Sequence, residues 1–201
     1  MATPTTRLSK QARREQLLET ALTIVRTQGA DGLTLPTLAE AAEVSRPIVY
    51  DHFGTRHGLL IALYQRLDEQ HRAALTQALR EAVPTGHEVA RVMSAAYFAC
   101  ATAMPEFNAV SAALRGSPEM EAVQREALDG YTDLMATALA PHSGLPAQAL
   151  RLRCVGALGA AEAIAAELNH GHTTVEDAVT ALTDLIVSAL TTTASRTAQS
   201  R

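Results

Sequence analysis

The chain has 201 residues, 47% of them apolar, 3% aromatic and none tryptophan, with a formal net charge of −4. That length holds one large domain or two smaller ones, and a core that alanine and leucine must fill favours packed helices over sheets. Cys100 and Cys154 lie in apolar helical context and read as two buried, reduced thiols, and with no signal peptide or bilayer-length apolar run the protein is expected to be cytoplasmic and free of any membrane.

The charge is placed unevenly. Residues 1–14 carry Arg7, Lys10, Arg13 and Arg14 and no acid; residues 1–57 sum to +1 and the remainder to −5. A basic end suits a polyanion, while an acidic body favours solubility. From Ser9 to Gln28, Ala12, Leu17, Leu18, Ala21, Leu22 and Val25 recur at helical spacing, and Gly29 ends the run. A second helix is predicted from about Leu35 to Ala42, with Thr34 as N-cap and Pro36 in its first turn. A third spans Arg46 to His52. Ser45 is its N-cap, Pro47 falls where a missing N–H costs little, and Gly54 closes it. Thr55 then caps a long helix to about Glu81.

Beyond Pro84 the helices lengthen. Thr85 and Glu88 form a capping box before a helix to about Ala103, whose stretch VMSAAYFACATAM is apolar almost all round. Short and long helices follow at Glu106–Leu114 and from Ser117/Pro118 to Leu139. After the loop from Pro141 to Pro146 come Ala147–Leu168 and, behind a Thr173/Glu176 box, Val175–Leu190. The fold expected is all-α, with a tail at 193–201 that is expected to be disordered.

The two short helices joined by the turn AEVS (Ala42–Ser45) suggest a helix-turn-helix, which lays its second helix in the DNA major groove. Arg46 stands near the start of that helix and can fork onto guanine O6 and N7. Pro47 and Ile48 offer small apolar faces to a thymine methyl. Tyr50 and His52 carry donors for phosphates. Leu38, Val49 and Phe53 are the positions that would hold the helices together.

These first 60 residues resemble the TetR family of bacterial transcriptional repressors. The resemblance runs in order through an amphipathic first helix ending at Gly29, GLTLPTLAEAAEVS, and SRPIVYDHFGTRHGLL, with the Tyr50–His52–Phe53 spacing its most specific part. It implies an N-terminal helix-turn-helix DNA-binding domain at residues 1–57 with a basic arm at 1–10, and a C-terminal helical effector-binding and dimerisation domain at 58–192. Carried over residue by residue, Thr34 and Thr37 would touch phosphates, Arg46, Pro47 and Ile48 would face bases, Tyr50 and His52 would grip backbone, and Ser45 would belong to the same DNA-binding set. Arg56 stands where the family usually has lysine and would meet a phosphate. Three departures stand out. Glu43 replaces a frequent glycine in the turn, Pro36 replaces a polar reader, and Asp51 must point sideways or pair with a cation.

The resemblance also implies a homodimer on a palindromic operator in double-stranded DNA, released by a small, mostly hydrophobic effector through a population shift. The dimer would use small-residue stripes on the last two helices: Gly156, Gly159, Ala160, Ala163 and Ala166, and Val179, Leu182, Ile186 and Ala189. Either stripe could instead pack inside one subunit. An effector cavity among the middle helices would be lined by Tyr97, Ala101, Met104, Phe107, Val110, Leu114, Met120, Tyr131, Met135 and Leu158. Asn108, Arg115 and Glu162 would be its polar groups. Those apolar positions also suit ordinary core.

An enzyme is disfavoured, since no Gly-rich phosphate loop, catalytic triad order or zinc spacing is present. His170 and His172 in NHGH form a two-ligand fragment at most, so no metal and no cofactor is expected. A helical protein-interaction module would not need the Arg46/Tyr50/His52 face. An activator on the same scaffold stays open.

Overall fold

The computed structural model of the protein describes residues 8–103 and 105–190. Among the described residues the chain is all α-helix, with no strand: α1 (Lys10–Gly32), α2 (Leu35–Ala41), α3 (Arg46–Phe53), α4 (Arg56–Glu81), α5 (Gly86–Ala103), α6 (Pro105–Ala113), α7 (Pro118–Leu139), α8 (Ala147–Asn169) and α9 (Val175–Leu190), with a single 3₁₀ turn at Ala140–His142. Part of the basic arm expected at residues 1–10 and the whole tail expected at 193–201 lie outside the described residues.

The chain forms two compact units, Met1–Gln70 with Met104–Gln124, and His71–Ala103 with Arg125–Arg201. This differs from a division after residue 57. The first four turns of α4 complete the N-terminal core through Leu59, Leu60, Leu63 and Leu67, all essentially inaccessible. Helix α6 returns to pack on α1. A three-helix unit of 57 residues would leave those apolar faces in water.

In the first unit, α1 starts on the Ser9 side chain, which accepts from the Ala12 amide at 3.1 Å. It buries Leu17, Leu18, Ala21, Leu22, Ile24 and Val25. Gly29 breaks its helical path with φ 73 and ψ 173, as its position predicts, and one further turn carries the chain to Gly32. The α2–α3 turn closes by backbone bonds from Glu43 to Glu40 and from Val44 to Ala39. Glu43 takes the left-handed conformation there, with φ 54.

The second unit is built on α5, which packs against α8 and α9. Met93, Phe98, Met135, Leu139, Cys154, Ala161 and Leu182 lie in its core. Two caps differ from the sequence reading. Thr85 caps α5 through the Glu88 amide, but the Glu88 carboxylate turns to Arg91 instead of closing a box. At α9 the cap is Thr174 with Asp177, one residue beyond Thr173/Glu176.

Helix α6 is fastened to α1 by Arg26, whose Nε and Nη2 donate to Glu106 Oε1 at 3.2 and 2.9 Å. Burial pushes the Glu106 carboxyl up. Its own backbone amide and Arg26 outweigh that and hold it below the ordinary carboxylate range. Such a group adds stability above its unfolded pKa and loses it as pH falls through the folded value. The acid-side decline in unfolding temperature, between about pH 5 and 3, is therefore expected to be shallower in Glu106→Gln than in the parent. Equal slopes in a thermal melt series would remove this pair as a source of acid lability.

Candidate nucleic-acid interface and apolar cavity

Helix α3 sorts its residues by side. Val49 and Phe53 are buried against the domain, while Ser45, Arg46, Pro47, Ile48, Tyr50 and Asp51 are exposed. Ser45 occupies the N-cap position but makes no side-chain capping bond. Pro47 brings no N–H to this helix end, and the Ile48 amide donates to the Ser45 carbonyl at 3.0 Å. Arg46 and Tyr50 lie one turn apart on this outer side, with Ile48 and Pro47 between them.

Charges from α1 frame the same helix. Lys10 pairs with Asp51 at 3.5 Å, which is the neutralisation an acid on this face needs. Arg14 donates from Nη1 to the His52 carbonyl at 3.2 Å and lies over the Phe53 ring at 5.0 Å. Burial first, and then Lys10, Arg14 and Arg13 against the opposing Asp51, hold the His52 imidazole below its ordinary range. His52 is thus neutral near pH 7 and can offer a phosphate one N–H. Sequence reasoning missed Lys10 and Arg14 as partners of α3. The only available signal was the run of cations before Leu17, which carries no register.

Thr34 and Thr37 form a reciprocal cap on α2. The Thr37 amide donates to Thr34 Oγ1 at 3.1 Å, the Thr34 amide to Thr37 Oγ1 at 2.9 Å, and Thr37 Oγ1 also reaches the Gly32 carbonyl. Both hydroxyls are used within the domain. Arg56 is likewise occupied: Nε donates to the Leu33 carbonyl at 2.8 Å and Nη2 to the Ala30 carbonyl at 2.6 Å, with Asp31 3.7 Å away. Its fork serves the broken end of α1.

The expected ligand residues do not all meet. In the second unit Tyr97, Tyr131, Met135 and Leu158 line one small apolar void of about 10 Å³ with Met93, Ala157, Ala161, Leu182 and Ile186. A neighbouring void, also of about 10 Å³, shares Met135, Ala157 and Ile186. Val110, Leu114 and Met120 are instead buried in the first unit, where the Phe107 ring lies tilted against Tyr64 with centroids 4.8 Å apart. Asn108 and Arg115 are exposed there. Ala101 packs beside the second core without lining the void, and Met104 lies outside the described residues. Glu162 is exposed and lines neither void, yet its charge, after burial, helps push Tyr97 up to about 12.

Two dimer candidates need correction. Leu182 and Ile186 are 3% and 2% exposed and line the void of their own subunit, so they are not free to meet a second copy. The α9 period places them inward because α9 packs on both α5 and α8. Gly156, Gly159, Ala163 and Ala166 are exposed along α8, together with Leu152 at 72% and Val155. A Cβ on either glycine would meet nothing within 4 Å.

One atom in the void is out of balance. The Tyr131 hydroxyl is buried and makes no hydrogen bond, although its ring stacks on His71. Burial pushes its phenol well up, so it stays a neutral donor. Buried polar atoms are nearly always paired, which sets this hydroxyl apart.

Replacing Arg56 by alanine leaves the buried Ala30 and Leu33 carbonyls without these donors, and is expected to destabilise the first unit by about 1–3 kcal/mol in urea melts. An Arg56→Ala protein of unchanged stability would contradict this bracing role.

The family model described as "Bacterial regulatory proteins, tetR family" matches residues 17–63, which contain α2, α3 and the start of α4. The chain is 25% identical over 151 residues to the HTH-type transcriptional activator FasR of Mycolicibacterium smegmatis, covering 75% of this chain and 69% of that protein. Its fold is similar to that of the fatty acid degradation regulator FadR from Bacillus halodurans, at TM-score 0.68 and 19% identity over 92% of this chain and 98% of the other. It is also similar to the transcriptional regulator FadR from Bacillus subtilis in complex with stearoyl-CoA, at TM-score 0.62 and 16% identity over 87% and 98% of the two chains. An outward-facing second motif helix and a helical C-terminal unit with no strand among the described residues agree with the family match, which identifies residues 17–63 as a DNA-binding region of the tetR family type.

Proposed function

We propose that the protein is a repressor that binds a palindromic operator as a homodimer and is released by a small hydrophobic effector. The observation that carries the DNA reading is the sorting of α3, with Arg46, Pro47, Ile48 and Tyr50 exposed while Val49 and Phe53 anchor the helix. In this reading Arg46 forks onto a guanine, Pro47 and Ile48 contact thymine methyls, and Ser45, Tyr50 and His52 hold phosphates. Thr34 and Thr37 act indirectly, by capping α2 and so fixing the helix against which α3 is set. Arg56 supports the interface from behind.

The exposed side of α8, with Leu152, Val155, Gly156, Gly159, Ala163 and Ala166, supports the dimer. Small residues there allow a second helix to approach closely, and Leu185 extends the apolar surface on α9.

The effector would be a linear acyl compound. At about 10 Å³ each, the two voids are far below the usual 300–1,000 Å³ of a ligand site, so the effector would have to open the core between them, where Met135, a flexible, unbranched side chain lining both, can give way. Tyr131 would then donate to an acyl carbonyl. The stearoyl-CoA held by the Bacillus subtilis FadR structure supports this class. A second reading, activation, is favoured by the likeness to the FasR activator.

The test is selection of bound sequences from a random DNA pool by the purified protein, repeated with saturated acyl-CoA thioesters of graded chain length. A palindrome whose half-sites lie about 34–36 Å apart, with binding lost on adding a long-chain thioester, is the expected result. No enrichment at low and moderate salt would overturn the DNA reading; enrichment that no thioester alters would overturn the effector class. On the selected site Arg46→Ala should cost about 1–3 kcal/mol and relax the preference at one base pair, read by competition with single-base variants. Tyr131→Phe should raise the stability of the free protein by about 1–2 kcal/mol while weakening the thioester response. A mutant that loses stability and keeps its response would sink the carbonyl contact.

A further inference from the structure

The turn joining α8 to α9 gathers three metal-ligand side chains that the DNA and effector sites do not use. Glu167 lies in the last turn of α8, His170 is its C-cap, and His172 follows Gly171. Gly171 is left-handed, with φ 75. This folds the chain back so that the His172 amide donates to the Glu167 carbonyl and the Gly171 amide to the Leu168 carbonyl, both at 3.0 Å. His172 Nδ1 is thereby held 2.9 Å from Glu167 Oε2. The His170 and His172 ring centroids are 5.7 Å apart. One donor atom from each of the three side chains lies within 4.8 Å of the others, and all three residues are exposed.

The sequence reading takes NHGH as two ligands. The helix adds a third from the preceding turn, giving the local pattern E-x-x-H-x-H. All three donors come from a segment of six residues, so their approach needs no distant packing. The surrounding charge favours a cation: from Cys154 to Thr183 the chain holds Glu162, Glu167, Glu176 and Asp177 and no lysine or arginine. The helix C-terminus adds its own negative potential.

We propose that Glu167, His170 and His172 bind one divalent transition-metal ion, of which Zn²⁺ fits the donor set best. Two imidazoles and a carboxylate are a common zinc set, with the remaining position taken by water. The ion replaces the proton shared by Glu167 Oε2 and His172 Nδ1 and draws in the His170 ring. It fixes the turn that ends α8, independently of any effector.

The experiment is calorimetric titration of the untagged full chain with Zn²⁺ alone, paired with thermal melts. One Zn²⁺ per chain is expected, with a rise in unfolding temperature. His170→Ala and His172→Ala should each weaken binding at least about tenfold, Glu167→Gln should weaken it less, and Cys100→Ser with Cys154→Ser should leave it unchanged. These exposed positions let every variant be checked for parental helicity in the absence of metal. No heat and no thermal shift with excess Zn²⁺, or a stoichiometric site that survives His172→Ala, overturns the assignment.

Discussion

The guanidinium of Arg56 sits where three pieces of the DNA-binding unit must meet. Gly29 ends the regular path of α1, and the chain then has to turn within a few residues into α2. In that turn the Ala30 carbonyl accepts from the Leu33 amide at 3.2 Å, and both it and the Leu33 carbonyl belong to buried residues. Arg56, the first residue of α4, supplies donors to both. The end of α1, the entry to α2 and the start of α4 are therefore tied through one side chain. The cap at Thr34 and Thr37 then sets α2, and α3 rests on α2 through Leu38, Val49 and Phe53. A position that sequence pattern assigns to a phosphate contact acts here as the brace behind the reading helix. Lysine, with three donors on one nitrogen, could not divide itself between two carbonyls in the same planar manner.

Electrostatics refine that placement. The DNA-facing helix carries an acid, Asp51, and a histidine held in its neutral form, features that alone would weaken attraction to phosphate. Lys10 compensates the acid directly, and Arg14 fastens the C-terminal end of α3 through a carbonyl and a ring face. The cations of α1 thus spend part of their charge within the domain. In the proposed complex, the draw toward a duplex would rest more on Arg46 than the bare count of basic residues suggests.

Local patterns were readable in the sequence; distant partners were not. Helix limits followed from Ser9, Gly29, Thr34, Gly54, Thr55 and Ser117, because caps and left-handed positions act within a few residues of themselves. The exposed and buried sides of α3 followed from helical period. Arg14 meeting Phe53, Arg26 meeting Glu106 and Arg56 meeting Leu33 could not be read, since nothing in one sequence links positions 20 to 80 residues apart. The same limit governs the candidate cavity. Tyr97, Tyr131, Met135 and Leu158 converge, whereas Val110 and Leu114, equally apolar and equally periodic, belong to the first unit. Leu182 and Ile186 were legible as a stripe, but periodicity gives a stripe no address: only the packing of α9 on α5 and α8 turns it inward.

Glu43 holds a backbone conformation that suits glycine, at the tightest bend of the helix-turn-helix. The change from a glutamate codon to a glycine codon needs one base. A sturdier turn with one negative charge fewer beside α3 is therefore within a single mutational step, since relief of the left-handed strain outweighs the chain entropy that glycine adds to the unfolded state. The reading head is poised below its own optimum, and an evolving lineage under pressure for heat resistance or tighter operator occupancy has a short path open at this residue.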